Sequence, residues 1–212
     1  MQLTDITCKA LFDFKGSMAE ELVGKAMYPW EILRDIGSYV AGLAKELKGK
    51  PGWKMLGEDI AVHESVKLDP GATVLGPAVI GPDAEVRPGA YIRGKVLVCG
   101  ECVVGNSTEL KNAVLMEGAK VPHYNYVGDS ILGRGAHMGA GALASNLKLD
   151  GSNIRVSGVD TGLRKFGAAL GDGAQVGCHA VLNPGSIICP GAMVYPLVSF
   201  RGIAGAGTRV KE

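Results

Sequence analysis

Arg93 and Lys111 lie eighteen residues apart, and each follows an aliphatic residue by one position. If the chain stacks in layers of eighteen, both cations project from one corner of adjacent layers. Two stacked cations make an anion site, and arginine is suited to bidentate contact with phosphate. The structural alternative needs solvation or an acidic neighbour; Glu109 is close in sequence but is expected on the other side of the turn. A second group is Pro122, His123, Tyr124, Asn125, Tyr126, Gly128 and Asp129, a dense run of polar and aromatic residues. A neutral imidazole there could take a proton from a nucleophile, although a lone histidine is more often a corner or hydrogen-bonding residue. A third run, Ser145 to Phe166, carries Asn146, Lys148, Asp150, Asn153, Arg155, Asp160, Arg164 and Lys165. Polar loops this long without a core of their own are more often functional than accidental.

The scaffold that must hold these residues is written in a comb of period six. Val62, Leu68, Val74, Ile80, Val86, Ile92, Val98, Val104 and Leu110 form an unbroken aliphatic series, with compact residues such as Ala72, Ala78, Ala84 and Cys102 two positions before. The comb returns as Leu170, Val176, Leu182, Ile188 and Val194. Hexapeptide periodicity is the signature of a parallel β-helix, in which three hexads close a triangular coil and coils stack about 4.8 Å apart. The fold class is therefore mainly β. Between Asn112 and Ala144 the comb slips phase: Met116 keeps the series, while Val121, Val127, Leu132 and Met138 do not all fall on sixes. On an eighteen-residue coil His123 stands two faces round from Lys111, so it approaches that corner only across a subunit boundary or through a bulge.

The chain divides into a helical segment over 1–58, the β-helix over 59–200 with a loop insertion near 145–167, and a tail over 201–212. Pro29 suits a first helical turn, Glu31 the positive end of its dipole, and Leu33, Ile36, Val40, Leu43 and Leu47 follow at helical spacing. Gly49, Pro51 and Gly52 end it, and the stretch from Leu11 to Leu22 is expected to be helical too. These helices are expected to cap the open end of the coil.

The 22 Lys plus Arg nearly balance the 21 Asp plus Glu, so no overall field draws the protein to nucleic acid or to an anionic membrane. The sequence lacks a secretory leader pattern and a membrane-length apolar run, which reads as a cytoplasmic protein. Its five cysteines fit reduced thiols. Cys99 and Cys102 form a CxxC without a second pair, and His63, His137 and His179 are scattered, so packing is preferred to a metal site and no metal is expected. Ala204-Gly-Ala-Gly-Thr-Arg209 has the look of a phosphate-binding glycine loop, but the helix and the α/β domain that such a loop needs do not follow it.

The stretch VGNSTELKNAVLMEGAKVPHYNYVGDSILG from Val104, followed by MGAGALASN, resembles the acetyltransferase domain of bifunctional glucosamine-1-phosphate acetyltransferase/N-acetylglucosamine-1-phosphate uridyltransferase. It is still more similar to the archaeal sugar-phosphate nucleotidylyltransferase form of that domain. The resemblance implies a left-handed parallel β-helix, a homotrimer, and acetyl transfer from acetyl-CoA to the amine of glucosamine 1-phosphate or a similar amino-sugar phosphate, without a metal. By that resemblance His123 is the catalytic base, Tyr126 and Asn146 contact the substrate, and Lys111 with Arg93 holds the phosphate. Arg87 competes with Arg93 through its RPGA context, but eighteen-residue stacking favours Arg93. Ala140 and Cys178 fall where the family contacts acetyl-CoA, Cys178 replacing a serine. His137 replaces the usual asparagine, Leu147 replaces the tyrosine of bacterial members but matches the leucine of archaeal ones, and Ser152 and Arg155 stand where archaeal members carry loop lysines. The uridyltransferase domain has no counterpart, so the alternative is a non-catalytic trimer that binds a sugar phosphate or nucleotide, or scaffolds a separately encoded pyrophosphorylase.

Overall fold

The computed structural model describes residues 3–212. The chain from Ile60 onward winds into a parallel β-helix with three walls. The first wall holds Ile60–His63, Ala78–Ile80, Val96–Val98, the ends of Glu109–Leu115 and Tyr126–Leu132, then Ala168–Leu170, Ser186–Ile188 and Ile203–Ala204. The second holds Thr73–Val74, Tyr91–Ile92, the beginnings of the same two long strands, Leu143–Ala144, Val181–Leu182 and Ser199–Phe200. The third begins at Lys67–Leu68 and ends at Arg209–Val210. The aliphatic comb fills the interior: Ile80, Val98, Leu115, Leu132, Leu170 and Ile188 stack in one column of the buried core. Each such side chain contributes about 1.5 to 3 kcal/mol by leaving water.

The phase slip has a simple origin. Ile60 pairs with Ala78 and Ala78 with Val96 at eighteen-residue spacing, whereas Val96 pairs with Ala113 and Ala113 with Ser130 at seventeen. Two coils are each one residue short. The residue is lost at the corner between the second and first walls, where Glu109–Leu115 and Tyr126–Leu132 run on without a break. Asn112 and Asp129 take the turn there with φ of 50° and 48°, a left-handed conformation that Asn and Asp tolerate. Leu115, not Met116, therefore continues the inward series, and Met116 packs outside the coil. The next coil is long: Ile131 pairs with Ala169, thirty-eight residues on. Its excursion carries a hairpin of Arg155–Val156 on Val159–Asp160.

The N-terminal helices do not close the end of the coil. Cys8–Leu11, Glu20–Gly24, Pro29–Ile32 and Ile36–Leu47 lie along the first wall. Ile6, Leu11, Val23, Trp30, Ile36 and Val40 share a second core with the outward residues Ala61, Val79, Leu97, Val114, Ile131, Ala169 and Ile187. That wall is aliphatic on both sides, so a cover there removes more apolar surface from water than a plug at one end would. The starting edge is instead paired by Trp53–Gly57, antiparallel to Ile60–His63, a strand that the sequence reading assigned to the helical segment. Glu31 accepts from the Met27 and Tyr28 N–H groups at 2.9 and 3.1 Å and fixes the entry to Pro29–Ile32. The stretch from Leu11 to Leu22 is helical only at its two ends.

Residues 201–212 are also not a loose tail. Ile203–Ala204 and Arg209–Val210 pair with the coil beneath, and the glycine-rich run between them is a corner with Gly207 at φ 65°. Among the described residues, no helix is long and apolar enough to cross a membrane.

Candidate active site

The predicted residues fall on two edges of the coil. The edge between the third and second walls carries His123, Ala140 and Cys178 on three successive levels. The His123 carbonyl accepts from Gly141 N–H at 3.0 Å, that of Ala140 from His179 N–H at 2.8 Å, and that of Cys178 from Leu197 N–H at 3.0 Å. The turn beside each is made by a residue with positive φ, namely Tyr124, Gly141 and His179. A Cβ on Gly141 would stand 2.6 Å from the His179 ring, so a side chain there would have to push that ring aside. The imidazole of His123 is exposed, at the end of Lys120–His123. Among the described residues, the N–H groups of Ala140 and Cys178 have no hydrogen-bond acceptor.

Asn125 builds this edge. It is buried, its Oδ1 accepts from the His123 N–H at 3.1 Å, and its Nδ2 donates to the Gly139 and Ala142 carbonyls at 2.7 and 3.1 Å. One level below, Thr108 Oγ1 donates to the Val121 carbonyl and accepts from the Asn125 N–H. These bonds fix the backbone that presents His123. The sequence reading noted Asn125 without giving it a role.

The edge between the second and first walls carries Arg93, Lys111, Tyr126 and Asn146. Ile92 pairs with Leu110, which stacks Arg93 and Lys111 as the spacing predicts. Both cations are paired within the chain. Arg93 Nη1 donates to Glu109 Oε1 at 2.6 Å, a partner that the sequence reading placed across the turn. Glu109 sits directly over Tyr91, two residues before Arg93, which puts its carboxylate within reach. Lys111 Nζ meets both oxygens of Asp129 at 2.9 and 3.0 Å. Asn146 Nδ2 donates to Asp129 Oδ2 at 2.5 Å and to the Tyr126 hydroxyl at 3.2 Å. A Cβ on Gly128 would stand 2.5 Å from that hydroxyl, so glycine leaves the room that the cluster needs. The Tyr126 phenol is held above its ordinary pKa, first by burial and then by the charges of Asp129 and Glu109.

His123 and Lys111 stand on different edges: Tyr124 turns the chain directly after His123 with φ of 51°, the strand from Tyr126 then runs along the second wall, and Lys111 pairs with Gly128 at its far end. Arg87 lies apart from both cations, its Nε on Glu85 Oε1 at 2.9 Å. His137 follows Lys120 one level up the third wall, and burial lowers its pKa, with Lys120 and His123 acting the same way and a bond to Gln175 opposing. Cys102 faces the core, where burial pushes its thiol up to about 12, and Cys99 is pushed up likewise, whereas Cys178 is exposed. Among the described residues, no cluster of three His, Cys, Asp or Glu side chains is placed to hold a metal ion.

The sequence model of the GMPPB C-terminal domain matches residues 74–162. The chain is 33% identical over 141 residues to a bifunctional sugar-1-phosphate nucleotidylyltransferase/acetyltransferase of Sulfurisphaera tokodaii, covering 65% of this chain and 35% of that protein. It is 33% identical over 167 residues to the bifunctional protein GlmU of Methanocaldococcus jannaschii, covering 74% of this chain and 40% of that protein. Over the aligned residues, the chain is a homologue of these bifunctional enzymes. It spans between 35% and 40% of their length. Among solved structures, a mutant of AntD, an N-acyltransferase from Bacillus cereus, is similar at 16% identity and a TM-score of 0.32, covering 76% of this chain and 80% of that one.

Proposed function

We propose that this chain is an N-acetyltransferase that moves an acetyl group from acetyl-CoA to the amine of an amino-sugar phosphate such as glucosamine 1-phosphate. The observation that carries the reading is the His123 edge, where an exposed imidazole lies below two unpartnered N–H groups, those of Ala140 and Cys178. The amine nitrogen attacks the thioester carbonyl, His123 takes the proton that the nitrogen gives up, and as the C–S bond breaks the imidazolium returns that proton to the departing sulfur, releasing the CoA thiol. The backbone N–H groups are suited to a developing oxyanion or to the amides of the CoA arm. Lys111, Tyr126, Asn146 and Arg93 would hold the phosphosugar so that its amine is aimed at the thioester.

Because the two edges lie at opposite ends of one wall, a complete site needs the His123 edge of one copy beside the Lys111 edge of another. A left-handed coil assembled as a homotrimer satisfies this with closed symmetry. The internal pairing of Arg93 and Lys111 favours a second reading, a non-catalytic trimer that binds a phosphorylated sugar or scaffolds a separate pyrophosphorylase.

The deciding experiment follows release of CoA thiol from acetyl-CoA with glucosamine 1-phosphate, galactosamine 1-phosphate and their unphosphorylated forms. Wild type should turn over at least one phosphorylated substrate, and His123→Ala should lower kcat about 10²- to 10⁴-fold, with the trimer intact by light scattering. Turnover that survives His123→Ala removes the catalytic assignment, and no turnover by wild type favours the binding reading.

A further inference from the structure

We infer that Asp129 is the positioning residue of the substrate edge, holding Lys111 and Asn146 in the geometry in which they meet the phosphosugar. The inference rests on the reading of that edge as a phosphosugar site. Asp129 is 4% exposed, and both carboxylate oxygens are occupied. Oδ1 accepts from Lys111 Nζ and from Asn112 Nδ2, each at 2.9 Å, and Oδ2 accepts from Lys111 Nζ at 3.0 Å and from Asn146 Nδ2 at 2.5 Å. The donors come from the coil below and the excursion above, and Asn112 Nδ2 also donates to the Leu33 carbonyl of the helical cover at 3.2 Å.

A carboxylate is an expensive choice for stability alone. Burying it costs several kcal/mol unless its partners are complete, and well-packed apolar groups usually serve a core as well or better. What a carboxylate does that an apolar group cannot is orient donors. An ammonium has three hydrogens; Lys111 spends two directions on Asp129 and keeps one for a ligand. The Asn146 amide spends its NH2 on Asp129 and Tyr126, which leaves its Oδ1 as an acceptor for an amine or hydroxyl. Asn112 has no such freedom: it is buried, and both hydrogens of its Nδ2 are taken by Asp129 and the Leu33 carbonyl while its Oδ1 has no partner among the described residues, so it acts as a strut between carboxylate and helix. The register stacks Asp129 over Asn112, since Lys111 pairs with Gly128 and Ala113 with Ser130.

The test compares Asp129→Asn and Asp129→Glu with wild type. Asparagine tolerates the φ of 48° but turns one acceptor into a donor that faces a donor. Asp129→Asn should raise KM for glucosamine 1-phosphate about 10- to 100-fold, as the loss of a charge-assisted hydrogen bond implies. KM for acetyl-CoA should stay within about twofold, with Asp129→Glu recovering part of the loss. The Tyr126 phenol, read by ultraviolet difference titration against Tyr126→Phe, should ionise at lower pH in Asp129→Asn. An unchanged sugar-phosphate KM overturns the inference, and so does a rise in both KM values together with a lower Tm, the mark of a merely structural residue. If wild type turns over no phosphosugar, the proposed function has failed separately. Tyr126 then decides: a lowered titration keeps Asp129 as the organiser of the cluster, and an unmoved one overturns it.

Discussion

The side-chain amide of Asn125 donates to the Gly139 carbonyl at 2.7 Å, across one level of the coil. Because the same side chain accepts from the His123 N–H, the backbone of the proposed base is fixed by a bond to the level that presents Ala140. Asn125→Ala should take the side-chain partner from the Ala142 carbonyl and the His123 N–H and leave the Gly139 carbonyl with the Ala142 N–H alone, with a loss of about 1 to 3 kcal/mol in stability. Urea denaturation would measure it. The kcat of the refolded variant should fall further than its KM for acetyl-CoA rises, since the imidazole loses its fixed backbone; a KM effect alone would point to the CoA arm.

Arg93 and Arg87 make contrasting predictions. If Arg93 reads phosphate, Arg93→Ala should weaken binding of glucosamine 1-phosphate by about 1.5 to 3 kcal/mol while leaving glucosamine nearly untouched. Arg87→Ala should change neither, since Arg87 pairs with Glu85 away from Arg93 and Lys111. Titration calorimetry with the two ligands separates these outcomes, and equal losses for both ligands would mean that Arg93 supports the coil and does not read charge.

Stability should fall on the acid side through His137. Burial holds this imidazole below its ordinary value of 6.5, so in the window just below pH 6.5 the unfolded chain binds more protons than the folded one. Stability is then full above pH 6.5 and decreases as the pH drops through that window. Replacing His137 by Gln should flatten this part of the profile, as seen by urea melts at pH 5 and pH 7.5; a profile as steep as wild type would place the sensitivity elsewhere.

The comb from Val62 to Val104 made the coil legible because inward aliphatics at every sixth position have no helical or simple-strand equivalent. The short coils were harder to see. Leu110, Val127 and Ala144 keep a perfect spacing of seventeen, as do Val104, Val121 and Met138, but a search in sixes registers only disorder. Leu115 and Met116 are both apolar and both fully buried, so hydropathy cannot tell the inner face of the wall from the face under the helices. Amphipathy in Ile36–Leu47 likewise announces a face to bury without saying where. The cations of the site were found by spacing, whereas Glu109 and Asp129 were missed as their partners. Those pairings cross from one coil to the next and depend on which level each side chain occupies.

A coil of this kind is a one-dimensional stack, in which each level touches only its neighbours and the ends can fray independently. Here the helical cover spans levels from Ala61 to Ile187 with one continuous apolar layer. It is also stitched to distant coils: Asn112 reaches the Leu33 carbonyl, Arg34 the Gly162 carbonyl, and Asp172 accepts from the Asp13 N–H. A level that opens must also peel away from a segment shared with all the others. The cover thus turns a stack of nearest neighbours into a single cooperative unit, and amide hydrogens in the first-wall strands should exchange together, at one opening free energy, instead of in a gradient along the coil.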